Sequence, residues 1–287
     1  MKALRLGGGA PPRSGQARKR FAQHFLEAAW VTKVVAAVGA TQDDTVLEIG
    51  PGRGAITLPL AAQAGRVLAI EIDRDLAAGL DADKPGNVTV VCGDFLSLDL
   101  SRVLEEWLGS PPGPGHRVRV VGNLPYNISS PILFRLLDFA ATTGGLSDAT
   151  LMLQREVADR LTARVGTGDY GVLTIQTAVH ADVKRVLALP PGAFRPQPRV
   201  QSAVVRLSFR PSTIAISDHA AFVRMVRTMF TQRRKTLLNA LKPFAAERST
   251  DAGAALNSAG IDPKRRPETL TMAELAELAR WFVAPGS

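Results

Sequence analysis

The chain has 287 residues, is 46% apolar, carries one cysteine (Cys92) and has a formal net charge of +9. That length and apolar content sustain one large domain, or one domain with a small appendage, and exclude wholesale disorder; a lone thiol excludes a disulfide framework and a cysteine-rich metal site, as suits a reducing cytosol. No apolar run approaches the roughly 18 to 20 residues that span a bilayer, and the N-terminus lacks the apolar core of a secretory signal, so a soluble cytoplasmic protein without a membrane partner is expected.

The charge is unevenly placed: residues 1–33 carry 7 Lys or Arg against 1 acid, residues 34–194 carry 13 against 18, and residues 195–287 carry 15 against 7. Basic ends around a mildly acidic middle favour a polyanion, of which nucleic acid is the commonest, although a merely solvated basic surface has the same composition. Residues 1–17 (MKALRLGGGAPPRSGQA) are rich in Gly and Pro without an apolar period, which predicts a flexible basic tail over 1–18. From Lys19 onward, short β-branched runs alternate with helix-length segments: VLEIG (Val46–Gly50), VLAIEID (Val67–Asp73), VTVVCGDF (Val88–Phe95), VRVVGN (Val118–Asn123) and TLMLQ (Thr150–Gln154). This alternation predicts a parallel sheet covered on both faces, a doubly wound α/β domain.

GSPPGPGH (Gly109–His116) cannot be helical and serves as the connection before the fourth of these strands. After Ala181, the runs VKRVLALP, PPGAFRPQPRV and QSAVVRLSFRP predict an antiparallel pair closing the sheet edge, joined by an irregular Pro-rich connection. Beyond Pro211, HAAFVRMVRTMF, RRKTLLNALKPF and MAELAELARWFV show apolar residues at helical spacing. The expected organisation is a sheet domain over 19–211 and a small all-helical domain over 212–287, with no internal repeat.

In LEIGPGRGAIT, Gly50, Gly52 and Gly54 stand where the first strand passes into a helix, a place where glycines let the backbone approach a ligand. The run matches neither the phosphate loop G-x-x-x-x-G-K-[ST] nor the full G-x-G-x-x-G fingerprint, and a structural turn shares its pattern. Glu71 and Asp94 end the next two strands. Ligands of open parallel sheets bind at the carboxyl ends of the strands, so both acids are expected to face one pocket with the glycine loop, one accepting ribose hydroxyls and the other an adenine amine. Each acid taken singly is equally well a helix cap.

KRFAQHFL (Lys19–Leu26), VLEIGPGRGAIT, AIEID, GDF, GNLPYNISSPI, QREVADRL (Gln154–Leu161), YGVL, FRPQPRVQSAVV (Phe194–Val205), QRRKTLLNAL (Gln232–Leu241) and RRPETL (Arg265–Leu270) follow one another along the chain. In that order they resemble the ribosomal RNA adenine dimethyltransferases, which modify two adjacent adenosines near the 3′ end of small-subunit rRNA and are related to the erythromycin-resistance rRNA methylases. The resemblance runs from about Lys19 to the end of the chain. It implies a Rossmann-like methyltransferase sheet with S-adenosylmethionine against the glycine loop: Gly50 near its methionine part, Glu71 on the ribose hydroxyls, Asp94 on the adenine amine, Phe95 beside the ring and Asn123 close to the reacting methyl. His24 and Leu26 match the family's N-terminal contacts. The family pattern there is Q-N-F-L, and His24 replaces the Asn with an imidazole that still supplies one hydrogen bond.

Asn123-Leu124-Pro125-Tyr126 is ordinary strand-end turn chemistry by composition, but its position after the fourth strand suits the reaction. The exocyclic amine of adenine is a poor nucleophile because its lone pair is delocalised into the ring. Two acceptors aimed at the amine protons would favour the pyramidal form, and the Asn123 side-chain oxygen and the Leu124 carbonyl are the candidates. Pro125 fixes the turn, and Tyr126 offers a face for the extruded base. Phe194, in the Pro-rich connection, is either a second stacking face or a core residue pinning that loop.

The basic groups Arg233, Arg234 and Lys235, with Arg265 and Arg266, are candidates for tracking rRNA phosphates, the expected role of the helical domain. The expected partner is small-subunit rRNA within an immature small ribosomal subunit, bound by a monomer, and no metal is assigned because the histidines lack ligand spacing. Two rival readings are a large-subunit adenine methylase of the macrolide-resistance type and a non-catalytic RNA-binding assembly factor. The Leu of NLPY and the QRRKTL helix fit the small-subunit group better.

Overall fold

Strands that are apolar on both faces belong in the middle of a sheet covered by helices, and the computed structural model, which describes residues 25–282, has that arrangement. Its strands are β1 (Phe25–Leu26), β2 (Thr45–Ile49), β3 (Arg66–Glu71), β4 (Val88–Cys92), β5 (Val118–Asn123), β6 (Leu146–Gln154), β7 (Ala181–Leu189), β8 (Phe194–Arg195) and β9 (Ser202–Phe209). The helices are α1 (Ala28–Val38), α2 (Thr57–Ala61), α3 (Arg74–Asp83), α4 (Leu100–Leu108), α5 (Ser129–Thr143), α6 (Arg155–Leu161), α7 (Val172–His180), α8 (His219–Thr231), α9 (Leu237–Glu247), α10 (Ala252–Ser258) and α11 (Met272–Trp281).

Two compact units result: the described residues up to Ala158 together with Lys184–Phe209, and Asp159–Val183 together with the described residues from Arg210 onward. The first is the sheet unit, with strand order β4-β3-β2-β5-β6-β9-β7. β2 to β6 are mutually parallel, and β9 runs antiparallel to β6. The doubly wound sheet expected from the alternating runs is therefore present. The chain moves outward from β2 to β3 and β4, then returns to place β5 on the other side of β2. That reversal makes the crevice at the carboxyl ends of β2 and β5 the ligand-binding position of this architecture.

Local sequence explains the junctions around that crevice. α1 carries Val31, Val34, Val35 and Val38 at helical spacing, all buried in one core with Val46 of β2 and Val67 of β3. It ends at Gly39, whose φ of 61° is the left-handed cap that stops a helix. α3 is capped by Asp73, two residues after the end of β3, whose Oδ1 accepts hydrogen bonds from Asp75 N and Leu76 N.

Three features depart from expectation. β6 begins at Leu146 rather than Thr150, its polar start held by Arg119 Nε donating to Asp148 Oδ2 at 2.9 Å. The N-terminal FL pairs antiparallel with the FR of the Pro-rich connection, Leu26 opposite Phe194, and makes a separate two-stranded ribbon. The helical unit does not start at residue 212: Asp159–Val183 belongs to it. Ile175 and Val179 of α7 share its core with Phe222, Met225, Leu241 and Leu278, and Tyr170 Oη donates to Leu270 O at 2.9 Å. In sequence this segment sits between two strands and reads as another crossover.

Candidate active site

The loop after β2 turns through Gly50, Gly52 and Gly54, whose φ values of 69°, 60° and 79° all lie in the left-handed region. A Cβ built on Gly50 would meet nothing within 4 Å among the described residues, which leave the space over the loop open. Glu71, at the end of β3 and only 2% exposed, binds this loop to the next helix: Oε2 accepts from Gly52 N and Oε1 from Asp73 N, both at 2.9 Å. Each carboxylate oxygen keeps a second acceptor position, so a pair of hydroxyls can still be received.

Asp94 follows β4 and folds its own turn. Its Oδ1 accepts from Leu96 N at 2.9 Å and its Oδ2 from Ser97 Oγ at 3.0 Å, again leaving acceptor capacity on both oxygens. Phe95 is buried beside it. Arg135, on α5, closes the turn: Nη1 donates to Leu96 O at 2.7 Å, Nη2 to Leu98 O, and the guanidinium lies 5.7 Å from the Phe95 ring centre.

On the other side of the crevice, β5 ends at Asn123, in register with Met152 of β6. Gly122 is required there: a Cβ would come within 2.9 Å of Leu124 Cδ2 and 3.0 Å of Ile49 O. This close approach draws β5 against β2 just where the glycine loop leaves. Leu124 is buried and donates N–H to Met152 O at 3.2 Å. In the turn that follows, the carbonyls of Pro125 and Tyr126 accept from Ile128 N and Ser129 Oγ. The Leu124 carbonyl accepts no hydrogen bond among the described residues. The Tyr126 hydroxyl lies 2.9 Å from Ser202 Oγ of β9, tethering the ring to the sheet.

Phe194 takes the second of its two candidate roles. At 1% exposure it lies in the core with Val34, Val46 and Val204, drawn in because β8 pairs with β1, and it presents no stacking face. The same ribbon carries Leu26, half-buried against that core, and brings Phe25 to the glycine loop: the Phe25 ring lies 3.8 Å from where a Gly52 Cβ would stand and 5.0 Å from the Arg53 guanidinium. His24 lies outside the described residues.

One charged residue at the site was not singled out by sequence reasoning. Glu48, two residues before Gly50 in β2, is 2% exposed, and its Oε2 has no hydrogen-bond partner among the described residues. Burial pushes its carboxyl up to about 7, with Thr57 acting in the opposite direction and the Glu71 charge adding to the rise. Its signal was visible as an acid inside an otherwise apolar strand.

The basic candidates in the helical unit divide sharply. Arg233 is a clamp, donating to Thr167 O and Gly168 O and lying 3.8 Å from Glu268. Arg265 grips Glu274 and Thr269, and this pairing, with the Thr271 capping contacts, holds the Glu274 carboxyl down at about 2. Arg234, Lys235 and Arg266 are exposed and remain available to a phosphate. The charge is also more modest than the basic C-terminal stretch suggested. Arg195, Arg199 and Arg206 fall in the sheet unit, while Asp159, Asp169 and Asp182 join the helical one, leaving 14 Lys or Arg against 10 Asp or Glu among its described residues. Among the described residues no group of three or more His, Cys, Asp or Glu could hold a metal, and no helix is long and apolar enough to cross a membrane.

An open glycine loop, a buried carboxylate at the end of β3 and a second acceptor after β4 have the chemistry that fits S-adenosylmethionine. Comparison with known proteins agrees. The chain is 42% identical over 272 residues to the ribosomal RNA small subunit methyltransferase A of Acinetobacter baylyi, covering 93% of each chain. Its fold matches a dimethyladenosine transferase from Plasmodium falciparum with a TM-score of 0.73 at 24% identity, covering 90% of this chain and 97% of that one. The 23S rRNA methyltransferase ErmE matches with a TM-score of 0.59 at 27% identity, over 89% of this chain and 98% of that one. The profile of the ribosomal RNA adenine dimethylases spans residues 14–283, and the chain belongs to that family.

Proposed function

We propose that this chain dimethylates N6 of two adjacent adenosines near the 3′ end of small-subunit rRNA, acting as a cytoplasmic monomer on an immature small subunit. The observation that carries the reading is the convergence, at the β2/β5 switch point, of the open glycine loop with the Asn123-Leu124 turn. Bound S-adenosylmethionine supplies an electrophilic methyl on a sulfonium. Glu71 receives the ribose hydroxyls, Asp94 the adenine amine of the cofactor, and Phe95 lines the ring.

The target base, taken out of its stack, lies against Tyr126. Asn123 Oδ1 and the Leu124 carbonyl accept the two N6 protons, which localises the nitrogen lone pair and aims it at the methyl carbon. Transfer would form the N6–C bond as the C–S bond breaks. The resulting ammonium loses its proton to water, so no general base has to act beforehand, and positioning supplies the catalysis. Exposed Arg234, Lys235 and Arg266 meet phosphates without reading sequence.

The test is transfer of labelled methyl groups to unmethylated small subunits, with the label mapped on the rRNA. Wild type should place label at two neighbouring adenosines, and Asn123→Ala should lose nearly all transfer while binding the subunit almost normally. Label on large-subunit rRNA instead would favour the reading suggested by the ErmE likeness. Full activity in Asn123→Ala would overturn the mechanism, and undiminished cofactor affinity in Glu71→Ala would favour a non-catalytic assembly factor.

A further inference from the structure

We infer that Arg135 is a positioning residue for the cofactor's adenine subsite. It comes from α5, a helix that follows the NLPY turn, yet its guanidinium is spent on the turn after β4: Nη1 donates to Leu96 O at 2.7 Å and Nη2 to Leu98 O. These two carbonyls are the middle and the C-terminal end of the turn whose first residue, Asp94, accepts from Leu96 N and Ser97 Oγ. One cation thus fastens the far half of the turn that orients the Asp94 carboxylate, and its guanidinium carbon lies 5.7 Å from the centre of the Phe95 ring, within cation–π range.

The arrangement is too costly to be incidental. Arg135 is not an exposed residue, and its Nε is buried without a hydrogen-bond partner among the described residues. A half-buried guanidinium whose buried Nε–H is left unsatisfied costs stability. Gly93 fits the same design, because a Cβ there would meet Leu98 Cδ2 at 2.9 Å: the turn is folded tightly onto its own start, and Arg135 holds it closed. α5 therefore links the acceptor turn that presents Asn123 at its N-terminal side to the turn that presents Asp94.

The inference rests on the reading that Asp94 receives the adenine amine, and the two can fail separately. Binding of S-adenosylhomocysteine and of S-inosylhomocysteine, in which a carbonyl replaces the exocyclic amine, is measured by isothermal titration for wild type, Asp94→Ala, Arg135→Met and Arg135→Lys, with melting temperature recorded for each. Wild type should prefer the adenine ligand. Asp94→Ala should bring the ratio of affinities close to one. Arg135→Met should cut the ratio by about tenfold, the worth of one well-aligned hydrogen bond, and Arg135→Lys, which reaches one carbonyl but not both, should fall between. A purely structural role would lower both affinities together, with the ratio unchanged. A wild-type ratio in Arg135→Met, or in Arg135→Lys if the Met variant does not fold, beside a collapsed ratio in Asp94→Ala overturns the role of Arg135 alone. Retained preference in Asp94→Ala overturns the adenine reading, and the role of Arg135 with it.

Discussion

Replacing Glu48 by Gln should flatten the pH dependence of stability in the sheet unit. The carboxyl rises from an ordinary 4.5 to about 7 in the folded chain, so the folded state holds that proton more firmly by at most about 3.5 kcal/mol, at roughly 1.4 kcal/mol per tenfold change in proton affinity. The sign follows from the raised value. Below pH 4.5 both states are protonated and the stability is fully present. Between 4.5 and 7 the unfolded chain releases the proton while the folded chain keeps it, so stability falls as pH rises. Above 7 the folded chain ionises too, and a carboxylate is left buried beside Glu71. Urea unfolding at intervals from pH 5 to pH 8, followed by the fluorescence of Trp30 and Trp107 in a Trp281→Phe background, isolates the sheet unit from the helical one. Wild type should lose on the order of 2 to 3 kcal/mol across that range, and Glu48→Gln should lose far less. The absolute stability of the Gln variant is secondary, since an amide also changes the contact with Thr57. Parallel pH profiles for the two proteins would refute the assignment of a buried, proton-holding Glu48.

Phe194→Ala should cost about 3 to 5 kcal/mol, as emptied aromatic sites in cores do, while Phe194→Leu should keep methyl transfer; a Leu variant that melts normally but no longer methylates would show that the ring reaches the target base. Replacing Arg234, Lys235 and Arg266 together by Ala should reduce the slope of log affinity against log salt by roughly 2 to 3, at about 0.7 to 0.9 per phosphate contact, read by filter binding to a small-subunit rRNA fragment; an unchanged slope would move the RNA surface elsewhere. Arg265→Ala should leave that slope alone and instead remove an acid transition: the Glu274 carboxyl is held at about 2, so its stabilisation is present above 4.5 and lost as pH falls toward 2, a step that circular dichroism should find in wild type and not in the variant. Gly122→Ala should destabilise by about 1 to 3 kcal/mol, because Ile49 O cannot retreat from a new Cβ without opening the β2–β5 pairing; a variant with wild-type stability and activity would show that this close approach is unimportant.

What the sequence made legible was what each segment decides for itself. β-branched runs and the spacing between them gave the doubly wound sheet, and the placement of Gly50, Glu71, Asp94 and Asn123 at successive strand ends gave the crevice, because the parallel topology carries all four to one side. Features decided by partners far along the chain stayed hidden. Leu26 and Phe194 are 168 positions apart, and no local pattern announces that they pair. RRK at Arg233 reads as a surface triplet, yet its first member is consumed by carbonyls of Thr167 and Gly168, which the sequence places before β7. RR at Arg265 hides a capping pair in the same way, since Glu274 is both the N3 residue of α11 and the arginine's partner. A basic residue near a basic residue is visible to the eye, but whether either is free is a property of the fold.

The site's acceptors share one design. Glu71 spends one lone pair of each oxygen on backbone N–H groups, one in the glycine loop and one at the start of α3. Asp94 spends its own on Leu96 and Ser97, and Tyr126 is tied to Ser202. All three are fixed before any ligand arrives, and the two carboxylates retain the capacity to accept further bonds. For a reaction in which no proton has to be removed in advance, rate depends on how narrowly the nucleophile and the methyl are held, and groups already locked by the backbone lose little further freedom on binding. Loosening a tether should therefore harm turnover more than the lost contact alone would suggest. The Glu71 tether carries the largest share, since its carboxylate couples the glycine loop, the end of β3 and the start of α3, so that a shift in any one is felt by the other two.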